Sequence, residues 1–323
     1  MKLIKEFGQH LDFLQRQLMT AHPFAINNHS IYHYTNSDGL LGIIQNKEIW
    51  ATNVKFLNDS SELTYGLNIL KVIEQMEIEN NTLFAEYKNR ENEFRTRGGA
   101  QDLSDHYIFC ASRSKGKLNQ YRNYSGRDGA VCIGFRTSNL INNIKKHSGP
   151  YGIACEIAYN EHHQEVIMQD DVAAKLSALS WLIEKFESLD LIPDELISFL
   201  INYFIGIERH CCLRCKHSSF EEEDEVRIIF SIPRGENTLK SYRTSPYGIA
   251  PFLKLKFWQE KNLAPLAKQF ELQDFIDDNP TVHSIDLGPN VHADLYEEAI
   301  RDLVKGELSN PVQISSNTIP LRV

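Results

Sequence analysis

The strongest constraint on this chain's fold is the order of its apolar periods. Short β-branched and aromatic runs recur along its length: IYHYT (31–35), EIWAT (48–52), HYIFCAS (106–112), GAVCIGF (129–135) and GIACEIAY (152–159). EVRIIFSI (225–232), FLKLKFW (252–258), VHSIDLG (282–288) and PVQIS (311–315) continue the series. Two tracts of helical period, about 60–97 and 163–215, interrupt it as insertions, the second with a break near Pro193. Residues 1–20 read as an amphipathic helix through Leu3, Phe7, Leu11, Leu14 and Leu18, ended by Pro23. A short helix, NSDGLLGIIQN (36–46), is capped by Asn36 and Ser37, and another spans 294–306. No repeat and no low-complexity linker divides the chain. A single α+β domain over 1–323 is the simplest account.

Composition removes several classes. With 42% hydrophobic and 24% charged residues, collagen-like, disordered and coiled-coil chains are excluded. The apolar runs fall short of the roughly 18 residues a membrane span needs, so no membrane partner is expected. The N-terminus carries charges inside its apolar stretch and has no small-residue cleavage site, unlike a signal peptide. Of six cysteines, Cys110, Cys132 and Cys155 lie in strand-like runs as small buried hydrophobes, so a disulfide framework is not expected. These features lead to the expectation of a cytoplasmic protein. The 34 basic and 43 acidic residues give a net charge of −9, which disfavours a broad nucleic-acid groove. Yet between Arg113 and Lys146 eight Lys/Arg face one acid, Asp128, leaving room for a small polyanion or a short nucleic acid.

Five segments could carry chemistry. On IYHYT, alternation sends Tyr32 and Tyr34 one way and His33 and Thr35 the other, placing an imidazole and a hydroxyl beside a helix N-terminus. The alternative is a structural histidine bonded to backbone. In FEEEDEVRIIF, Glu223, Glu225 and Arg227 share a face, and the cation keeps Glu225 ionised. That suits stabilising an oxocarbenium ion; a charge ladder on an exposed edge strand is the competing reading. In FLNDSSE, Asn58 and Asp59 are turn residues before a capped helix, with a ligand role secondary. Tyr121 and Tyr124 lie three apart on a short helix near Arg122 and Arg127, a combination that holds flat rings and phosphates. HCCLRCKH (210–217) holds one Cys-x-x-Cys, Cys212 and Cys215, without a second pair, so no metal site is expected. Walker A, GxGxxG, HExxH and GxSxG signatures are absent.

The order YHYT, NSDGLLGII, QNKEIWAT, FLNDSSE, FCASRS, YRNYSG, GAVCIGF and EDEVRIIF, with LGPN and TIPLR late in the chain, resembles a large bacterial family of unknown function. More remotely, the opening strand–helix–strand is similar to ADP-ribosyltransferases of the His-Tyr-Glu type. That resemblance implies a split β core of two small packed sheets with large helical insertions. It implies NAD as substrate, with His33 and Glu225 catalytic and Tyr34, Thr35, Asn58, Tyr121, Arg122, Tyr124 and Arg227 around the dinucleotide. Tyr34 stands where many members carry Gly, and Tyr121 and Tyr124 are both in chain order for the ring-stacking tyrosine. The implied activity is transfer of ADP-ribose to a protein or nucleic acid, or NAD glycohydrolysis, as in a defence or toxin effector. Two other readings compete: a sensing or interaction module that kept the fold without the chemistry, and a nucleic-acid-processing enzyme using 113–146.

Overall fold

Strands with one apolar side must bury it, and in the computed structural model ten strands among the described residues join one hydrogen-bonded network. The structure describes residues 2–20, 29–57, 62–99, 104–124, 129–150, 152–246, 248–257, 281–289, 293–308 and 311–316. The first half of the chain contains α1 (Lys2–Thr20), β1 (Ser30–Asn36), α2 (Ser37–Asn46), β2 (Glu48–Asn53), α3 (Glu62–Asn80), α4 (Thr82–Thr96), β3 (Ser104–Ser112), α5 (Leu118–Tyr124), β4 (Ala130–Arg136), α6 (Thr137–Ser148) and β5 (Gly152–Glu156). The second half contains α7 (Glu161–Phe186), α8 (Asp194–Cys212), β6 (Glu225–Pro233), β7 (Lys240–Ser245), β8 (Gly248–Lys256), β9 (Val282–Leu287), α9 (Ala293–Glu307) and β10 (Gln313–Ser316).

The network forks at β3. On one side β3 pairs along its full length with β6, which pairs in turn with β5. On its other side β3 meets β1 at a single register pair, Tyr32↔Ser112, and then β2 at Thr52↔Ile108 and Asn53↔Tyr107. One arm continues β1–β4–β9–β10, the other β2–β8–β7. All pairings are antiparallel except β9 with β10. The expected pair of small packed sheets is therefore one branched network, bridged by β3. β6 is a central strand rather than the exposed edge that a charge ladder would suit.

Two layers clothe this sheet. Leu40, Ile43 and Ile44 of α2, Leu140 and Ile144 of α6, and Ile300 of α9 pack on one face with Ile133, Phe135, Ile228 and Phe230. On the other side α1, α3, α4, α7 and α8 build a second core around Phe7, Leu179, Leu200 and Phe204. Val54, Ile108, Cys155, Leu213 and Ile229 form a smaller third cluster, on the side of β3 and β6 opposite to Phe109 and Ile228. α3 and α8 meet at backbone distance, since a Cβ on Gly66 would lie 2.6 Å from the Cys212 Cα. The tract at 60–97 is two helices, because the Asn81 side chain accepts from the Phe84 N–H and starts α4. No helix among the described residues is long and apolar enough to cross a membrane. TIPLR (318–322), Asn58, Asp59 and Arg127 lie outside the described residues.

Candidate functional site

The fork creates a gap, and the gap is the site. Beyond Tyr32↔Ser112 the ladder between β1 and β3 stops, and side chains replace it. His33 Nδ1 donates to the Cys110 carbonyl at 2.8 Å, and the ring packs 4.6 Å from Phe109. A carbonyl only accepts, so Nδ1 carries the proton. Burial lowers the His33 pKa, partly offset by this bond, so the ring is neutral and Nε2 is an acceptor. Nearby, Tyr34 Oη donates to the Ser114 carbonyl at 2.8 Å and accepts from the Lys117 N–H at 3.0 Å. Nδ1 thus serves the backbone, as in a structural histidine, while the ring lines a cavity.

That cavity has a volume of about 380 Å³, inside the roughly 300–1,000 Å³ range of small-molecule sites. His33, Tyr34, Tyr124, Glu225 and Arg227 all line it. Sequence reasoning missed Glu62, Cys110, Lys216 and Phe220 there. Glu62 reads as a helix-capping residue and Lys216 as part of a cysteine motif, so neither carries a signal of its own.

The cavity floor is an ion cluster. Arg227, 1% exposed, donates to Glu225 through Nε (2.7 Å to Oε1) and Nη2 (2.9 Å to Oε2). Its Nη2 also reaches Glu62, and its Nη1 donates to the Leu213 carbonyl at 2.9 Å. Lys216 Nζ lies 3.0 Å from Glu62, 2.6 Å from Glu223 and 3.1 Å from Glu225. Three carboxylates thus meet two cations, a formal excess of one negative charge. Burial alone would raise the Glu225 carboxyl, but Arg227 and then Lys216 outweigh it and hold its pKa at about 2. Because that folded value lies below the ordinary 4.5, its stabilising contribution is full above pH 4.5 and is lost as pH falls toward 2. Burial keeps the Cys110 thiol protonated, its pKa well above the ordinary value, with Glu225 adding to the rise. A protonated thiol is a donor to that carboxylate, not a nucleophile.

Loop geometry fixes the approach to Glu225. Asp224 adopts a left-handed conformation, φ 50°, that turns the chain from the 3-10 segment Ser218–Glu223 into β6. Its carboxylate accepts from Arg113 Nε at 2.6 Å and Ser114 Oγ at 2.5 Å, and Lys117 Nζ lies 3.5 Å away. Lys115 pairs with Asp286 at 3.4 Å. Arg113, Ser114 and Lys117 therefore hold the Asp224 turn while Lys115 ties the basic segment to β9, and none of the four lines the cavity.

The other expected residues separate. Thr35 lies under α2, where a Cβ on Gly39 would come within 2.0 Å of its Oγ1, and it does not line the cavity. Arg122 is exposed on α5, away from the cavity wall. Tyr121 and Tyr124 do not share a face. Tyr121 is buried edge-on against Tyr34, at 5.1 Å, with Ala130 and Cys132 beside it. Tyr124 is 44% exposed and reaches the cavity. Tyr121→Ala is accordingly expected to cost about 3–5 kcal/mol, and Tyr124→Ala under about 1 kcal/mol, by urea unfolding. Equal losses would refute this division of labour.

Cys211, Cys212 and Cys215 are buried free thiols in the helical core, and burial raises all three pKa values. Among the described residues no group of three His, Cys, Asp or Glu is placed to hold a metal ion.

Residues 120–228 match the model of a family described as "Protein of unknown function (DUF2971)". The match runs from α5 into β6, so it includes Tyr124, Lys216, Glu223, Glu225 and Arg227 and leaves out His33. No curated protein and no solved structure matches the chain.

Proposed function

We propose that the cavity at the fork receives the nicotinamide riboside end of NAD, and that the protein breaks the bond between nicotinamide and ribose. The observation that carries this reading is convergence: His33, Tyr124 and Glu225, far apart in sequence, line one cavity. The excess carboxylate charge suits the substrate's pyridinium and the oxocarbenium ion that follows it. In the step proposed, the C–N bond breaks heterolytically and its electron pair goes to the pyridinium nitrogen, releasing neutral nicotinamide. A nucleophile (an acceptor hydroxyl, an acceptor nitrogen or water) then bonds to the ribose carbon and gives up its proton. His33 Nε2 accepts from a ribose hydroxyl, and Tyr124 stacks on the nicotinamide. Glu223, 26% exposed and paired with Lys216 at 2.6 Å, is the carboxylate that takes the nucleophile's proton.

A second reading rests on a specific feature. Both oxygens of Glu225 are already engaged by cations, at 2.7–3.1 Å, which favours a cavity that binds a nucleotide without cleaving it. Incubation with NAD, with and without cell lysate as acceptor, and chromatographic detection of nicotinamide separates the two. Release by the wild type, reduced at least about a hundredfold in Glu225→Gln, is expected. Gln leaves Glu62 and Glu223 opposite Lys216 and Arg227, an even count, so the variant still folds, at a cost of about 1–3 kcal/mol. NAD left intact under both conditions ends the cleavage reading.

A further inference from the structure

Among the described residues, one stretch of sheet beside the fork carries no covering helix. Register places Trp50 of β2, Phe252, Lys254 and Lys256 of β8, and Arg243 of β7 on the same side. Through Thr52↔Ile108 that side continues onto the side of β3 that carries Cys110 into the cavity wall. The helical insertions pack over the sheet at Ile108 and Ile229. Over β2, β8 and β7, Trp50 is 41% exposed, and Arg243, Lys254 and Lys256 are exposed as well.

These groups form an ordered surface. The Trp50 ring lies 4.5 Å from that of Phe252, which is buried beneath it. Trp50 Nε1 donates to Glu48 Oε1 at 2.9 Å, which fixes the indole and occupies the acid of this side. Lys254 Nζ stands 6.0 Å from the Trp50 ring centre. The Arg243 guanidinium lies 5.9 Å from the Phe252 ring and donates to Thr52 Oγ1 at 2.9 Å.

We propose that this side of β2, β8 and β7 binds single-stranded nucleic acid, with a base stacked on Trp50 and phosphates held by Arg243, Lys254 and Lys256. Among the described residues, three exposed cations meet one buried, engaged carboxylate here, so the patch complements a polyanion although the whole chain carries −9. An oriented aromatic ring among cations is the arrangement that reads unpaired bases, because every base has a flat face to stack and a duplex hides it. An acidic peptide would use the cations and leave the indole unused. The inference is independent of the NAD reading, since it assigns different residues and is tested by binding alone.

The test is fluorescence anisotropy of the full chain with a fluorescein-labelled single strand of about 20 nucleotides, its duplex, and a labelled poly-glutamate. The strand is expected to bind most tightly and to weaken steeply from about 50 to 200 mM salt. Trp50→Ala should weaken it about tenfold, Trp50→Phe by less than about threefold. Lys254→Glu, an exposed change that does not touch the core, should weaken it about tenfold. Circular dichroism melts identify any variant that fails to fold, and the Lys254→Glu result stands without Trp50. Absence of saturable strand binding at about 50 mM salt, equal affinity for duplex or poly-glutamate, or an unchanged Lys254→Glu affinity would each overturn the proposal.

Discussion

Arg227→Ala is expected to lower the unfolding free energy by about 3–5 kcal/mol, the largest loss of any single change at the cavity. Arg227 is buried between Glu225 and Glu62 and also satisfies the Leu213 carbonyl. Its removal leaves three carboxylates facing Lys216 alone, two of them buried. Desolvating a carboxylate without a cation is the expensive event, more than losing the pair's mutual attraction. Arg227→Lys should fall between, because an ammonium keeps the charge but cannot span both Glu225 oxygens, Glu62 and Leu213 together. Replacing Arg227 by Met and Glu62 and Glu225 by Leu together removes the charges in step and should restore most of the loss. Urea unfolding followed by circular dichroism measures all three. A loss below about 1 kcal/mol for Arg227→Ala would mean that the cluster is solvated rather than buried.

A comparable loss, about 3–5 kcal/mol, is expected for Lys175→Met, far from the cavity. Lys175 is fully buried on α7 and lies 2.7 Å from Asp171, 2.9 Å from Glu74 on α3 and 2.7 Å from Glu208 on α8. Lys88 of α4 joins Glu74 at 3.0 Å and Glu91 at 2.6 Å, and Arg95 closes the network onto Glu91. Four helices are thus tied by four carboxylates and three cations. Burial pushes the Asp171 carboxyl up to about 6, against the pull of Lys175. Its folded pKa lies above the ordinary 3.8, so ionising it opposes folding, and the fold gains stability as pH drops from about 6 toward 3.8. Without Lys175 that carboxyl titrates higher still. The gap between Lys175→Met and wild type in urea unfolding should therefore be narrower at about pH 5 than at pH 7. A gap that does not change with pH would remove Asp171 from the account.

Much of this fold is legible in the chain because burial writes period two into its strands and helical period into its insertions. β6 shows it well: Val226, Ile228 and Phe230 fill the core while Glu225 and Arg227 look into the cavity. β7, KSYRTS, is not legible, since a largely exposed strand at the sheet's end has no side that must be apolar. α6, TSNLINNIKKHS, gives little signal, because Leu140, Ile141 and Ile144 are the apolar residues that mark its buried stripe among polar ones. At the site, the shared face of Glu225 and Arg227 follows from strand geometry. The place of His33 does not, since register sets Tyr32 rather than His33 beside Ser112 and Glu225, and Tyr32 and Tyr34 line the cavity together with His33. The partnership of Glu62 and Lys216 does not follow from it either, because it depends on α3 and the end of α8 meeting over β6, a contact set by tertiary packing. Nor does sequence separate Tyr121 from Tyr124. Two tyrosines three apart on a helix look equivalent until β1 and β4 occupy one side.

The position of β3 at the fork also dictates when the protein can fold. Emerging from the ribosome, β3 can find β1 and β2 at once, since both precede it in the chain. Its longest partner, β6, does not exist until the chain from Ser112 to Glu225 has been synthesised. Until then β3 presents a bare hydrogen-bonding edge with Phe109 and Ile108 on its faces, while the intervening helices α7 and α8 form locally. Nascent chains of this protein thus carry an open strand edge for much of their translation, the state in which such edges are captured by chaperones or by one another.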